Sequence, residues 1–299
     1  MLTVSPTNPR PPLTLAGNQQ IQALDNEHKA EVLNFLGARP LHTFIMASWI
    51  KDNGLASSFN RGAFYGCRDT RGRLEGVALI GHITLFETES DAALTAFAHL
   101  AQSCATPYAV LGEGKKISRF RNDYTTNGGA PPRLVCRELL LEKRIAENLN
   151  TVQSLRPARS EELELVVPIH AQTAFEESGV NPLEVNPSGF RERCARRIEQ
   201  GRTWVAIEGG RLKFKIEVVS DTPEVVYLEG AYVSAEHRGN GYGAKCMTQL
   251  TNHLLERTKS VCLLVNQKNS AAQASYRKAG YKFREYYDTL YLRQPSVVN

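Results

Sequence analysis

The sequence predicts a mixed α/β (α+β) protein: a central mixed β-sheet flanked by helices, arranged as two tandem units. Three observations carry this. The chain has 299 residues, long for one compact domain and comfortable for two of about 150 each. Its second half shows strand-like runs in a row, then a strand, glycine-rich turn, helix and strand, so an antiparallel start leads into an α/β centre. Hydrophobic residues make up 42% and charged residues 22%, which supplies core material and argues against a fibrous, collagen-like or disordered chain.

The elements follow in order. The opening, with four prolines among residues 1–12, reads as a flexible arm over 1–20. Val32, Leu33 and Leu36, then Phe44, Ile45 and Ile50, stand at helical spacing on either side of Arg39-Pro40 and predict two helices. Phe64–Cys67 and Leu74–Ile83 read as strands around a turn at Asp69–Arg73, followed by an alanine-rich helix from Asp91 to Ala101. Tyr108–Leu111 and Arg133–Leu141 are further strands, and Thr125–Pro132 is a loop. Residues Glu142–Leu155 lose periodicity, which places a boundary near Asn150 and gives units 21–150 and 151–299.

In the second unit a helix runs from Ser160-Glu-Glu-Leu163 toward Phe175, interrupted by Pro168, and another from Ser188 to Gln200 is closed by Gly201. Thr203–Glu208 and Leu212–Val219 form a hairpin across Gly209-Gly210, and Val225–Val233 is a long strand. A glycine-rich turn, a helix from Gly243 to Arg257, the strand Val261–Val265, a helix from Ser270 to Ala279 and terminal strands around Tyr281–Leu292 complete the chain.

Composition narrows the function. No apolar run approaches the roughly 18 residues that cross a bilayer, and the N-terminus lacks a signal-peptide core, so a soluble, cytoplasmic protein without a membrane partner is expected. The six cysteines are scattered with no Cys-x-x-Cys pair, which argues against a metal site or disulfide scaffold. A formal charge of +5 is modest for this length; a polyanionic small ligand explains it, and nucleic acid is not an expected partner. The basic run Arg191–Arg197 lacks interleaved aromatics and reads as a solvated helix face. His170, His237 and His253 show no partner set for a catalytic triad.

The informative segment is Tyr227–Ala244. A strand enters a turn holding Gly239, Gly241 and Gly243, and a helix begins at the last of them. Glycines let backbone amides crowd together, and a helix N-terminus adds roughly half a positive charge, so the turn suits a phosphate or pyrophosphate, with Arg238 as a fixed cation. A glycine-rich connection made for geometry alone is the other reading. No Lys-Ser or Lys-Thr closes a P-loop, and Gly-x-Gly-x-Gly is a poor dinucleotide fingerprint.

Arg238-x-x-Gly241-x-Gly243, reached from a strand ending at Val233, resembles the acetyl-CoA loop of the GNAT superfamily of N-acetyltransferases. Asn266-x-x-Asn269-x-x-Ala272-x-x-x-Tyr276-x-x-x-Gly280-Tyr281 is similar to that family's second cofactor motif, and the resemblance spans Leu155–Leu292. It implies acetyl-CoA as co-substrate, no metal, and direct acetyl transfer to a primary amine on a small molecule or a protein. Ala231, Tyr232, Val233, Arg238, Gly239, Asn240, Gly241, Tyr242, Gly243, Ala244, Asn266, Asn269 and Ala272 are the implied cofactor-binding residues. The implied catalytic residues are Glu229, which takes the amine proton, and Tyr276, which serves the departing thiolate. The plainer alternatives are a solvent-facing or salt-bridged carboxylate at 229, a core tyrosine at 276 and an ordinary N-cap at Asn269. Side-chain alternation puts Val225, Tyr227, Glu229, Ala231 and Val233 on one face. The first half repeats the element order and resembles a degenerate GNAT-like unit. Its Thr84–Asp91 segment has neither glycine nor arginine, so no second cofactor is expected there. A non-catalytic acyl-CoA sensor or scaffold is the alternative function, and monomer and homodimer both remain open.

Overall fold

The computed structural model describes residues 13–14, 20–126, 128–147 and 152–292. In chain order these form β1 (Leu13–Thr14), β2 (Gln20–Ala23), α1 (Lys29–Gly37), α2 (Pro40–Asn53), β3 (Gly62–Arg68), β4 (Leu74–Gly81), β5 (Ile83–Thr88), α3 (Asp91–Gln102), β6 (Ala109–Glu113), α4 (Gly114–Thr126) and β7 (Leu134–Lys143). There follow β8 (Leu155–Pro157), α5 (Leu163–Ser178), α6 (Pro182–Val185), α7 (Pro187–Glu199), β9 (Thr203–Glu208), β10 (Arg211–Asp221), β11 (Val226–Val233), α8 (Tyr242–Leu255), β12 (Val261–Asn266), α9 (Ser270–Lys278) and β13 (Lys282–Tyr291). The mixed sheet with helices is the architecture expected.

Contacts divide the chain into residues 1–137 with 287–299, and residues 138–286. The division therefore falls inside β7 and β13 and not near Asn150, which lies outside the described residues. Loss of periodicity marks a connection, whereas pairing decides the unit: residues 138–143 of β7 are hydrogen-bonded to β12, and residues 287–291 of β13 to β6. Of the expected arm, Leu13 and Thr14 pair with Ile21 and Gln20; residues 1–12 and 15–19 lie outside the described residues.

In the first unit the strand order is β1-β2-β3-β4-β5-β6, then residues 287–291 of β13. Alternation along β4 feeds two cores. Ala78 and Ile80 join Phe97, Ile117 and Phe120 on the face covered by α3 and α4, whereas Val77 and Leu79 join Val32, Leu36, Met46 and Ile50 of α1 and α2. Two elements depart from the sequence reading. The expected strand Leu74–Ile83 is instead two antiparallel strands, β4 and β5, joined at Gly81-His82; one glycine inside a strand-like run is a weak turn signal. Helix α4 is an element that the sequence reading lacks, and it takes Thr125 and Thr126 from the expected loop; only Ile117, Phe120 and Tyr124 of its residues are buried, too sparse a stripe for periodicity to stand out.

In the second unit the order is β8-β9-β10-β11-β12-β7, antiparallel except for β11 with β12. One core packs Phe214, Ile216, Val218, Leu228 and Val265 against Cys246, Met247, Leu250 and Leu254 of α8. Helices α5 and α7 cover the other face through Val166 and Ile198 on Val205, and through Val167 and Ala171 on Phe190 and Cys194. Helix α5 runs unbroken through Pro168. The proline is exposed and forgoes one bond near the first turn, which a helix anchored by tertiary packing tolerates. Among the described residues, no helix is long and apolar enough to cross a membrane.

Candidate active site

The site begins where two parallel strands stop pairing. Strands β11 and β12 are in register from Val226↔Val261 to Leu228↔Leu263. Beyond that, β12 continues on β7 as far as Asn266↔Glu138, and β11 continues on β10 as far as Val233↔Phe214. From Glu229 onward the two strands diverge and open a gap between their facing edges.

The cause is local. Gly230 has φ +63°, a conformation that a side chain makes costly, and the β10 register skips one residue between Lys215↔Tyr232 and Glu217↔Glu229. Gly230 and Ala231 thus face Ile216 alone, a β-bulge that re-aims the chain after it. Paired residues share a face, so Glu229 and Tyr232 lie with Glu217 and Lys215. Ala231 and Val233 pack on the α8 side of the sheet. Simple alternation, which places Glu229, Ala231 and Val233 together, fails at the bulge.

Under the bulge lies a buried charged cluster. Lys215 and Glu217 are 0% and 2% exposed, and Lys215 Nζ is 3.1 Å from Glu217 Oε1. Lys215 Nζ also donates to His170 Nδ1 at 2.6 Å and to the Gly230 carbonyl at 3.4 Å. Thr203 donates to Glu217 at 2.8 Å. Burial, then the cations Lys215, Arg197 and Arg193, hold His170 well below the usual imidazole range. It is therefore neutral, with Nδ1 the acceptor. The sequence reading found no partners for His170; they stand 45 and 47 residues away on β10, and they clamp the bulge rather than activate a nucleophile.

The glycine loop follows. Gly241 has φ +82° and is the N-cap of α8, with no side-chain cap. An added Cβ at Gly239 or Gly241 meets nothing within 4 Å, whereas at Gly243 it lies 2.9 Å from Val233 Cγ2. The first two face open space, and the third lets α8 close onto the end of β11. Asn240 Oδ1 accepts from the Tyr242 amide at 3.1 Å, so that side chain is spent on the first turn, where Ala244 also lies. Arg238 is exposed, donates through Nε to the Val233 carbonyl at 2.9 Å and stands 6.0 Å from the Tyr232 ring. The Tyr242 ring packs on the core and 5.0 Å from His237, and its amide is the one bonded to Asn240.

Across the gap, Asn266 ends β12 and its Oδ1 accepts from the Lys268 amide at 2.9 Å. Asn269 caps α9 by accepting from the Ala272 amide at 3.0 Å, the plainer of its two expected roles. Ala272 and Tyr276, one turn apart, both pack on the core. The Tyr276 hydroxyl has no hydrogen-bond partner among the described residues. Burial, and then Glu177, raise it above the usual phenol range, so it holds its proton.

Two acidic residues here, Glu138 and Glu177, escaped the sequence reading. Burial pushes the Glu177 carboxyl up to about 8, followed by the negative charges of Glu229, Glu138 and Glu176 and offset by Lys215. The residue as a whole is nonetheless exposed. Tyr227 is raised by burial and by Glu229, Glu138 and Glu177. Two acidic residues in the last turn of a helix, Glu176 and Glu177 on α5, oppose its dipole and are the legible signal.

The donor set suits a polyphosphate with an extended tail: loop amides at Gly239 and Gly241 beside open space, with the Tyr242 amide taken by Asn240, and the edge of β11 past Leu228 without a strand partner. Among the described residues, no group of three or more His, Cys, Asp or Glu is placed to hold a metal. Comparison with known proteins agrees with this geometry. Residues 170–281 match the model of the acetyltransferase (GNAT) family. A GNAT-family acetyltransferase from Colwellia psychrerythraea is similar at 15% identity and TM-score 0.57, over 91% of this chain and 99% of its own. A Drosophila protein reaches TM-score 0.67 at 11% identity, over 92% and 99%. A tandem GNAT protein from the clavulanic acid biosynthesis pathway reaches 0.56 at 13% identity, over 93% and 99%. At such identities these likenesses establish the fold, and their coverage makes the first unit GNAT-like as well. No curated protein sequence matches the chain.

The buried imidazole makes stability depend on pH. Below about 6.5 the unfolded chain binds a proton that folded His170 refuses, so this contribution is present above that pH and is lost as pH falls. The thermal midpoint should drop between pH 7.5 and 5.5, with a shallower drop in His170→Gln; parallel profiles would contradict the neutral, buried assignment.

Proposed function

We propose that this chain, with its acetyltransferase (GNAT) family domain over residues 170–281, transfers an acetyl group from acetyl-CoA directly to a primary amine. The observation that carries the reading is the opening beyond Leu228↔Leu263, bordered by the glycine-capped start of α8 and by Glu229. The amides of residues 239–244 would receive the diphosphate, and the edge of β11 from Glu229 to Val233 the extended arm, with Asn266, Asn269 and Ala272 on the far wall. Bound there, acetyl-CoA supplies an activated thioester carbonyl.

The remaining roles belong to the chain. The Ser234 amide donates to Lys213 on β10 at 2.9 Å; successive amides of an extended strand point to opposite edges, so the Val233 N–H is turned toward the gap, where it can donate to a developing oxyanion. An alkyl amine titrates near about 10.4 and arrives protonated. Glu229, exposed at the mouth of the gap, takes that proton, directly or through water. Tyr276 keeps a proton at Oη for a leaving sulfur. The cysteines of the second unit do not supply a nucleophile: burial pushes Cys246 up to about 12 and Cys194 to about 11, and raises Cys262 well above the usual thiol range, so direct transfer is favoured over an acyl-enzyme.

Calorimetric titration with CoA and release of free thiol in the presence of primary amines test the reading; no heat and no thiol would overturn it. Gly241→Val should weaken CoA binding by about tenfold, because a β-branched residue at that φ costs on the order of 1–3 kcal/mol. Tyr276→Phe should lower kcat by about tenfold or more while the Kd for CoA stays within about threefold, and Glu229→Gln should lower kcat/KM for the amine by about a hundredfold near neutral pH. An unchanged kcat in either variant would remove that residue from its role.

A further inference from the structure

The tautomer of His170 is settled by what touches it. Lys215 Nζ stands 2.6 Å from Nδ1, and an ammonium only donates, so Nδ1 carries a lone pair and no proton. Glu217 Oε1 lies 3.5 Å from the same nitrogen, too far to hold a proton there. A neutral imidazole has one N–H, and here it is on Nε2. Among the described residues that donor has no partner, whereas His28 spends both ring nitrogens, on Asp25 and Gln22. The ring is nonetheless fixed. Lys215 holds one edge, Phe190 stacks on it with centroids 5.3 Å apart, and Cε1, the atom bonded to Nε2, stands 3.9 Å from where a Cβ on Gly230 would be. Gly230 follows Glu229, where β11 leaves β12, and its missing side chain leaves that ring edge open; the imidazole is 17% exposed. A ring with an ammonium at Nδ1 resists a second proton, so it does not compete with Glu229 as the base. What it offers is a hydrogen.

We propose that His170 is a specificity-determining residue: its Nε2–H bonds an oxygen that the acceptor carries close to its reacting nitrogen, so that the nitrogen is held at Glu229. This rests on the amine acetylation reading above and narrows the acceptor to an amine with a nearby hydroxyl or carbonyl oxygen. Lys215 is a positioning residue here, because it selects the tautomer without touching the acceptor. An oxygen is preferred to a methylene because a donor left facing apolar atoms loses its bond to water without replacement.

The test measures kcat/KM for 2-aminoethanol and glycinamide against n-propylamine. These amines differ in basicity, so the readout is how each oxygen-to-methyl ratio changes between the native chain and its variants. His170→Gln and His170→Glu both give Lys215 an acceptor, but only the amide keeps an N–H. The ratio for at least one oxygen amine should fall about fivefold or more in His170→Glu and His170→Phe, through KM, and stay within about threefold in His170→Gln; the amine whose ratio falls further identifies hydroxyl or carbonyl as the partner. A purely structural role lowers all the amines together, so ratios unmoved in His170→Glu and His170→Phe overturn the proposal. Where the native chain acetylates no amine, the transfer reading falls by itself, and nitrogen NMR of the full chain labelled at histidine, with CoA present, decides this one. The Nε2–H tautomer, with an Nε2 shift on adding 2-aminoethanol or glycinamide and none on adding n-propylamine, upholds it. An Nδ1–H tautomer, or the same response to every amine, overturns it.

Discussion

A strand edge inside a protein must find hydrogen-bond partners, and the second unit departs from strand pairing at one place. Up to Leu228 the strand β11 is bonded on both sides; past the positive φ of Gly230 it keeps β10 and parts from β12. Past Leu228 the edge is exposed or half-buried, so water can meet its free groups, and what holds the strands apart lies elsewhere in the unit. The site depends on this parting of strands. It gives Glu229 its exposure, turns the Val233 amide into the gap, and sets the glycine-capped start of α8 across from the face of α9 that carries Ala272 and Tyr276.

What enforces it is an arrangement that stability alone would not choose. Placing an ammonium and a carboxylate at 0% and 2% exposure carries a desolvation cost that an apolar pair would avoid. Lys215 offsets it with three partners, and the third of them is the Gly230 carbonyl. That carbonyl belongs to the residue whose φ bends the strand, so the cluster holds the bulge as well as neutralising itself. A neutral His170 is required, because a charged ring 2.6 Å from Lys215 Nζ would repel it.

Much of this is legible in the amino-acid sequence. The strand, glycine turn and helix from Val225 to Arg257, and the second motif from Asn266 to Tyr281, declare themselves because local conformation dictates them: positive φ at Gly241, a cap at Asn269, a repeating apolar face on α8. What stays hidden depends on contacts far apart in sequence. The bulge looks like uninterrupted alternation until β10 supplies a register. His170 looks solitary because its partners are on another strand. Glu138 and Glu177 come from β7 and α5, and only the fold brings their charges to bear on Tyr227 together with that of Glu229. The unit boundary is hidden for the same reason, since a strand that pairs away from its sequence neighbours leaves no trace in composition.

The first unit also parts two parallel strands, and different groups border the parting. There β5 and β6 are also parallel, and they pair only at Ile83↔Ala109 and Thr84↔Val110 before β5 runs on to Thr88 and β6 to Glu113. The charged side chains along this opening pair with one another: Arg39 reaches Glu87 at 2.8 Å and Glu113 at 2.7 Å, and Lys116 reaches the same two carboxylates at 3.0 and 3.1 Å, beside a cavity lined by Thr43, Phe86, Leu111 and Glu113. The helix that follows β5 begins at a side-chain cap, Ser90 on the Ala93 amide, whereas the N-cap of α8 is Gly241, which has no side chain to cap with, and Asn240 takes the Tyr242 amide. A polyphosphate approaching the first unit would meet glutamates already paired to its cations and a helix start already capped. The two units thus share a backbone solution to opening a sheet and differ in what borders it, which separates the fold, a matter of pairing and register, from the chemistry, a matter of which amides and charges are left without partners.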